Sequence, residues 1–259
     1  MERLGMNDSF DTDWYPAPEP VSERPVVLIH GFASNAELNW QQTGWLDALA
    51  QAGRHVLTFD LPGHGRARDI TDPARYTPDA ICAALAYRLD TMPDSAAHGV
   101  DIVGYSLGSR LAWDFADAYP QHVHAMVLGA PALDDPFQGM DIDAAAAYLN
   151  DAQPMRQPRD EQLLALAQRI PGNDAQALLR VVRALVDAPF RPGRLCDTPV
   201  LLMAGDKDEL AATMPQLAEH ARHAELAWLP GRNHLNAVTA RAFKRAAIDF
   251  LAEPTSKRD

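Results

Sequence analysis

Ser106 stands in Gly104-Tyr105-Ser106-Leu107-Gly108, directly after the apolar run Val100-Asp101-Ile102-Val103 and before a helical stretch that includes Leu111, Ala112 and Trp113. A serine on so tight a strand-to-helix turn is held in a strained backbone with its hydroxyl lifted clear, and the flanking glycines admit the close approach around it. The chemistry this suits is nucleophilic attack on an acyl carbon. The amide of Leu107, in the first helical turn, is aimed at an oxygen on that carbon. A serine hydroxyl is a poor nucleophile until a base takes its proton, so a histidine and a group to orient it are required. His234 lies in Gly231-Arg232-Asn233-His234, after the last apolar run, and is the one histidine in that position. Asp206 and Asp208 lie in Gly205-Asp206-Lys207-Asp208, after the apolar run before it, and either could serve as the acid. The bland alternatives are an incidental helix-start serine and a surface loop histidine; context and partners weigh against both.

These residues need elements to carry them. Short apolar runs at Val26 to Ile29, His55 to Phe59, Val100 to Val103, Val123 to Leu128, Val200 to Met203 and Glu225 to Leu229 predict about six strands. Between them, Trp45 to Ala52, Asp79 to Leu89, Leu107 to Tyr119, Met214 to Ala221 and Ala237 to Phe250 place apolar residues at helical spacing. Strands alternating with helices are the sequence form of an α/β fold with a mostly parallel sheet. Ser106, both aspartates and His234 then all fall at strand C-termini, where open α/β sheets bind ligands. The first 25 residues, with Pro16, Pro18, Pro20 and Pro25, read as an extended lead-in, with ordered structure expected from Val26. Residues 26–132 and 198–252 form the expected core and 253–259 a tail. Leu133 to Asp197 breaks the alternation: it is rich in alanine and leucine, punctuated by Pro154, Pro158, Pro171 and Pro189, and predicts a helical cap over residues 133–197.

Composition narrows the function classes. The chain has 259 residues, 47% of them hydrophobic, and suits one globular domain with an insertion. Its formal net charge of −12 would repel nucleic-acid phosphates and anionic lipid heads. The N-terminus lacks the unbroken apolar stretch of a secretory signal, and no run reaches membrane-span length. Cys82 and Cys196, far apart and without a second pair, suggest no disulfide framework; a reduced, cytoplasmic setting is expected. His220 and His223 could share a helix face as a metal pair, yet without a third ligand nearby a solvated face is the better reading, and no metal is expected.

Further motifs make the chain resemble the α/β-hydrolase superfamily from about Val26 to Leu251. His30-Gly31-Phe32 follows the first strand, Trp40 stands shortly beyond, and Asp60-Leu61-Pro62-Gly63-His64-Gly65 follows the second. The resemblance implies the triad Ser106, Asp208 and His234, in the family's chain order of serine, acid, histidine, and its G-x-x-D spacing favours Asp208 over Asp206. It also implies that the amide of Phe32 joins that of Leu107 in an oxyanion hole. The family's short strands before this point are not visible, so a sheet whose first hairpin is reduced or absent is predicted. Arg66-Ala67 stand where a serine often follows Gly-His-Gly.

The function so implied is cofactor-free hydrolysis of a small-molecule carboxylic ester or lactone. Tyr105, Phe137, Met140, Tyr148 and Phe190 are candidate substrate contacts, although packing among cap helices explains the cap residues equally well. Met155 belongs with them. Arg110 could bind a substrate carboxylate or make a structural ion pair. Gly104 to Arg110 also resembles the menaquinone-pathway lyase that forms 2-succinyl-6-hydroxy-2,4-cyclohexadiene-1-carboxylate, but Leu133 to Asn150 contains no arginine to hold several carboxylates. Carbon–carbon bond hydrolysis with the same triad is a further option, and a non-catalytic ligand-binding role is the alternative outside enzymes.

Overall fold

A computed structural model describes residues 11–92, 99–195 and 197–252. Its strands are β1 (Thr12–Tyr15), β2 (Ser22–Ile29), β3 (Arg54–Phe59), β4 (Val100–Tyr105), β5 (Val123–Gly129), β6 (Val200–Gly205) and β7 (Ala224–Leu229). They form one sheet in the order β1-β3-β2-β4-β5-β6-β7. All pairings are parallel except that of β1 with β3. The central strands are buried on both faces, as a sheet covered by helices on each side must be.

Two expectations need correction. The sheet has seven strands rather than six, and order begins before Val26, because β1 and the first residues of β2 precede it. Thr-Asp-Trp-Tyr carries no apolar run, so its strand character comes from β3 across from it, in the register Thr12 to Phe59 through Tyr15 to Val56. Stacking of the Trp14 ring on His55 at 5.3 Å adds to that pairing. This single antiparallel edge strand is what the described residues hold of the family's first hairpin, which was expected to be reduced or absent; the tail at 253–259 lies outside them.

The core helices are α1 (Trp45–Gln51), α2 (Pro78–Asp90), α3 (Leu107–Ala118), α7 (Met214–Ala218) and α8 (Arg241–Ala252). The starts follow elementary capping: Thr77 accepts a hydrogen bond from the Ala80 amide and Pro78 opens α2. Helices α7 and α8 are shorter than their apolar periodicity suggested.

Between Leu133 and Asp197 lie α4 (Ile142–Asp151), α5 (Pro158–Gln168) and α6 (Ala175–Asp187). Asp141 caps α4 and Asp174 caps α6, while Pro158 opens α5. Leu178, Val181, Val182 and Leu185 bury one stripe of α6, each worth roughly 1.5–3 kcal/mol. That stripe seats the cap on the core: a Cβ on Gly63 would lie 2.8 Å from Val181 and 3.1 Å from the Ala177 carbonyl.

Candidate active site

The nucleophile candidate is set by its backbone. Ser106 has φ 53° and ψ −114°, a region costing roughly 1–3 kcal/mol for a residue other than glycine. Its amide donates to the Gly129 carbonyl at 2.8 Å, and the Ser109 hydroxyl donates to the same oxygen at 2.8 Å, which pins the turn to the end of β5. Gly108 lets α3 run directly against β2, since a Cβ there would sit 1.9 Å from the Ile29 carbonyl.

The acid and base loops are built against each other. The Asp206 amide donates to the Leu229 carbonyl at 3.2 Å and the Lys207 amide to the Arg232 carbonyl at 2.9 Å. Gly205 makes this approach possible, because its Cβ would meet the Arg232 carbonyl at 2.1 Å and no flexible side chain is there to yield. Gly205→Ala is therefore expected to destabilise the fold by about 1–3 kcal/mol. Thermal melting would show a drop of roughly 2–4 °C per kcal/mol; an unchanged midpoint would mean the two loops are not so tightly joined.

His234 Nε2 lies 2.9 Å from Ser106 Oγ, and its Nδ1 lies 2.9 and 3.1 Å from the two Asp208 oxygens. The Asp208 side chain is fully buried. Asp206 points elsewhere: its Oδ1 accepts from the Gly231 amide at 2.7 Å in an exposed turn. The Tyr105 hydroxyl donates to the His234 carbonyl at 2.6 Å, so this expected substrate contact also holds the histidine loop from behind. Burial pushes that phenol above its ordinary range, which keeps it a donor.

Across the cavity, the loop at Gly31 to Ser34 abuts the serine; a Cβ on Gly31 would be 3.4 Å from Ser106 Cβ. Turn hydrogen bonds here run from the amides of Ser34, Ser109 and Arg110, and among the described residues none is recorded from those of Phe32 or Leu107. Buried polar groups fix the loop's peptide planes. His30 Nδ1 donates to the Gly31 carbonyl at 2.8 Å while its Nε2 accepts from the Leu61 amide at 2.9 Å. His64 Nε2 accepts from the Ala33 amide at 2.9 Å, and its Nδ1 donates to the Pro62 carbonyl at 3.0 Å. Asn39 Oδ1 accepts from the Gly31 amide at 3.2 Å, and Asn173, reaching in from the cap, donates to the Ala33 carbonyl at 2.8 Å.

Both imidazoles must be neutral to bond in this way. Burial, followed by the neighbouring His30, pushes His64 down to about 3; burial likewise lowers His30. An unfolded histidine takes its proton near pH 6.5. The folded form resists it, so stability is full above that value and is lost as pH falls from about 6.5 towards about 3. Denaturant midpoints measured between pH 7.5 and 4.5 should fall, and His64→Gln should flatten part of that slope while lowering stability at neutral pH. An equally steep slope in the variant would count against the neutral pair.

The cavity over Ser106 has a volume of about 320 Å³. Of the residues singled out in the sequence, Phe32, Leu107, Tyr105, Arg110, Phe137 and Phe190 border it. Met140 and Tyr148 do not, and neither does Met155. Helix α4 packs on α5 and α6, and its Tyr148 lies half-buried against the core; Met140 before it and Met155 after it are buried in the core. The cap's aliphatic contribution comes from α5 and the turn after it, through Leu163, Leu166 and Ile170. Their helical spacing was visible in the sequence; which neighbour they face was not. Among the described residues no group of three or more His, Cys, Asp or Glu is placed to hold a metal, and no helix is long and apolar enough to cross a membrane.

The sequence profile of the family described as alpha/beta hydrolase fold matches residues 24–178. The chain belongs to this alpha/beta hydrolase family. A protein of Variovorax paradoxus named as the carbamate hydrolase RutD is 28% identical over 264 residues, covering 92% of this chain and 95% of that one. A Bacillus subtilis protein named as a 2-succinyl-6-hydroxy-2,4-cyclohexadiene-1-carboxylate synthase is 33% identical over 109 residues; the match covers 42% of this chain, which spans only 37% of that protein's length. Among solved structures, MenH from S. aureus superimposes with a TM-score of 0.73 at 19% identity, over 93% of this chain and 97% of that one, a likeness of fold.

Proposed function

We propose that the protein is a serine hydrolase that cleaves a small-molecule carboxylic ester or lactone through an acyl-enzyme, with Ser106 as nucleophile, His234 as base and Asp208 as the orienting acid. What supports this reading above all is the continuous chain from Ser106 Oγ through His234 Nε2 and Nδ1 to the buried Asp208 carboxylate.

The steps follow from these positions. Ser106 Oγ attacks the substrate carbonyl carbon as its proton passes to His234 Nε2. The carbonyl oxygen becomes an oxyanion, stabilised by the Phe32 and Leu107 amides, and Asp208 stabilises the imidazolium through Nδ1. Collapse breaks the carbon–oxygen bond to the alcohol, which leaves with the proton from Nε2. Water then attacks the acyl-enzyme, gives its proton to His234, and the second collapse frees the carboxylic acid and returns the proton to Ser106. Side chains, two amides and water suffice for this cycle.

A fluorophosphonate probe reacts with a serine only when a neighbouring base activates it. Peptide mapping after labelling should find the probe on Ser106, and a panel of nitrophenyl esters run beside a lactone should show turnover. Failure to label the folded protein would favour a binding role for the cavity instead.

A further inference from the structure

The cavity has one cationic lining residue among those described, Arg110, one turn into α3. Its guanidinium is already engaged. Nη1 donates to Asp135 Oδ2 at 2.6 Å, Nη2 donates to the Ala188 carbonyl, and Nε lies 3.5 Å from Asp114 Oδ2. The Phe190 ring covers it at 5.6 Å, and the side chain is only 10% exposed. Asp135 in turn accepts from the Phe137 and Phe190 amides, so the same group ties both ends of the cap together. Each terminal nitrogen thus spends one N–H on the protein, and two carboxylates at ion-pair distance more than balance the guanidinium's single positive charge, although Nε itself makes no hydrogen bond. Asp134 adds a second negative lining residue, and the remainder of the wall is mostly aliphatic and aromatic.

We infer that the site selects uncharged substrates with an apolar acyl group and rejects esters that carry a carboxylate on the acyl chain, because the charge of Arg110 is balanced by Asp114 and Asp135 and no other lysine or arginine lines the cavity among the described residues. This rests on the hydrolase reading above. It separates the chain from the Bacillus relative, whose named product is a carboxylate. A carboxylate entering here would give up its water without gaining an ionic partner, and would face Asp134 and Asp135.

The experiment compares 4-nitrophenyl hexanoate with the 4-nitrophenyl monoester of adipic acid, matched in length and differing in a terminal methyl against a terminal carboxylate. Assays at pH 8 keep Asp114 ionised, since burial pushes its carboxyl up only to about 6. The kcat/KM for the neutral ester should exceed that for the anionic ester by about 100-fold; a ratio below about tenfold overturns the inference. In Asp135→Asn the guanidinium loses one of its countercharges, so the ratio should narrow by about tenfold or more, whereas a purely structural role would slow both esters alike. An unchanged ratio in the folded variant would overturn the assignment to this pair. Should Asp135→Asn fail to fold, the wild-type ratio decides alone. Absence of turnover on both esters, with Ser106 unlabelled by fluorophosphonate, would instead defeat the hydrolase reading itself.

Discussion

Ser106→Ala is expected to remain folded, to lose fluorophosphonate labelling, and to lower kcat/KM on the best nitrophenyl ester by at least about 10⁴-fold. The loss is large because the whole covalent route disappears: with no oxygen at that position, His234 has nothing to activate in the first step. The loss is not infinite, because the proposed oxyanion hole of the Phe32 and Leu107 amides and the apolar cavity would still bind and polarise a carbonyl for attack by water. Folding should survive. The hydroxyl faces His234 at the cavity floor, whereas the strained turn is secured by the Ser106 amide, the Ser109 hydroxyl and the flanking glycines. A nitrophenyl ester assay together with circular dichroism separates the two outcomes, and full activity in the alanine variant would remove Ser106 from the mechanism.

Asp208→Asn should lower kcat by about 10⁴-fold, while Asp206→Asn should leave it within an order of magnitude. The carboxylate of Asp208 accepts from Nδ1 of His234, so the tautomer that offers Nε2 as a base towards Ser106 is the one held in place. An asparagine would present an amide whose nitrogen donates, favouring the opposite tautomer and removing the charge that steadies the imidazolium. Asp206 sits two residues earlier but accepts from the Gly231 amide, a bond that an asparagine oxygen can keep. Its replacement therefore costs at most about 1 kcal/mol of stability. Equal losses in the two variants, measured as kcat on one ester, would show that the loop rearranges and that the acid cannot be assigned by position.

Local chain chemistry was enough to single out Ser106 as the candidate nucleophile, because a serine between two glycines on a strand-to-helix turn is defined by neighbours within five residues. The parallel strands, the helices and the helical nature of the insertion were legible for the same reason: apolar periodicity and proline or aspartate at the helix starts act within one element. The edge strand β1 was not legible, since Thr12 to Tyr15 has no apolar run of its own and takes its hydrogen bonds from β3, some forty residues on.

Which aspartate faces the histidine was likewise decided only in three dimensions. Asp206 and Asp208 share one loop, and the backbone bonds to the Arg232 turn, with Gly205 beneath them, send one carboxylate into the protein and the other to its surface. Met140 and Tyr148 looked as suited to the cavity as Phe137 and Phe190, because an apolar side chain reads the same whether it meets a substrate or a neighbouring helix. Only the folded packing separates them, with Tyr148 on α4 against the core and Met140 buried within it. Arg110 follows the same rule: its charge is written in the chain, but the two carboxylates that balance it, Asp114 from its own helix and Asp135 from the start of the cap, come beside it only in the folded protein.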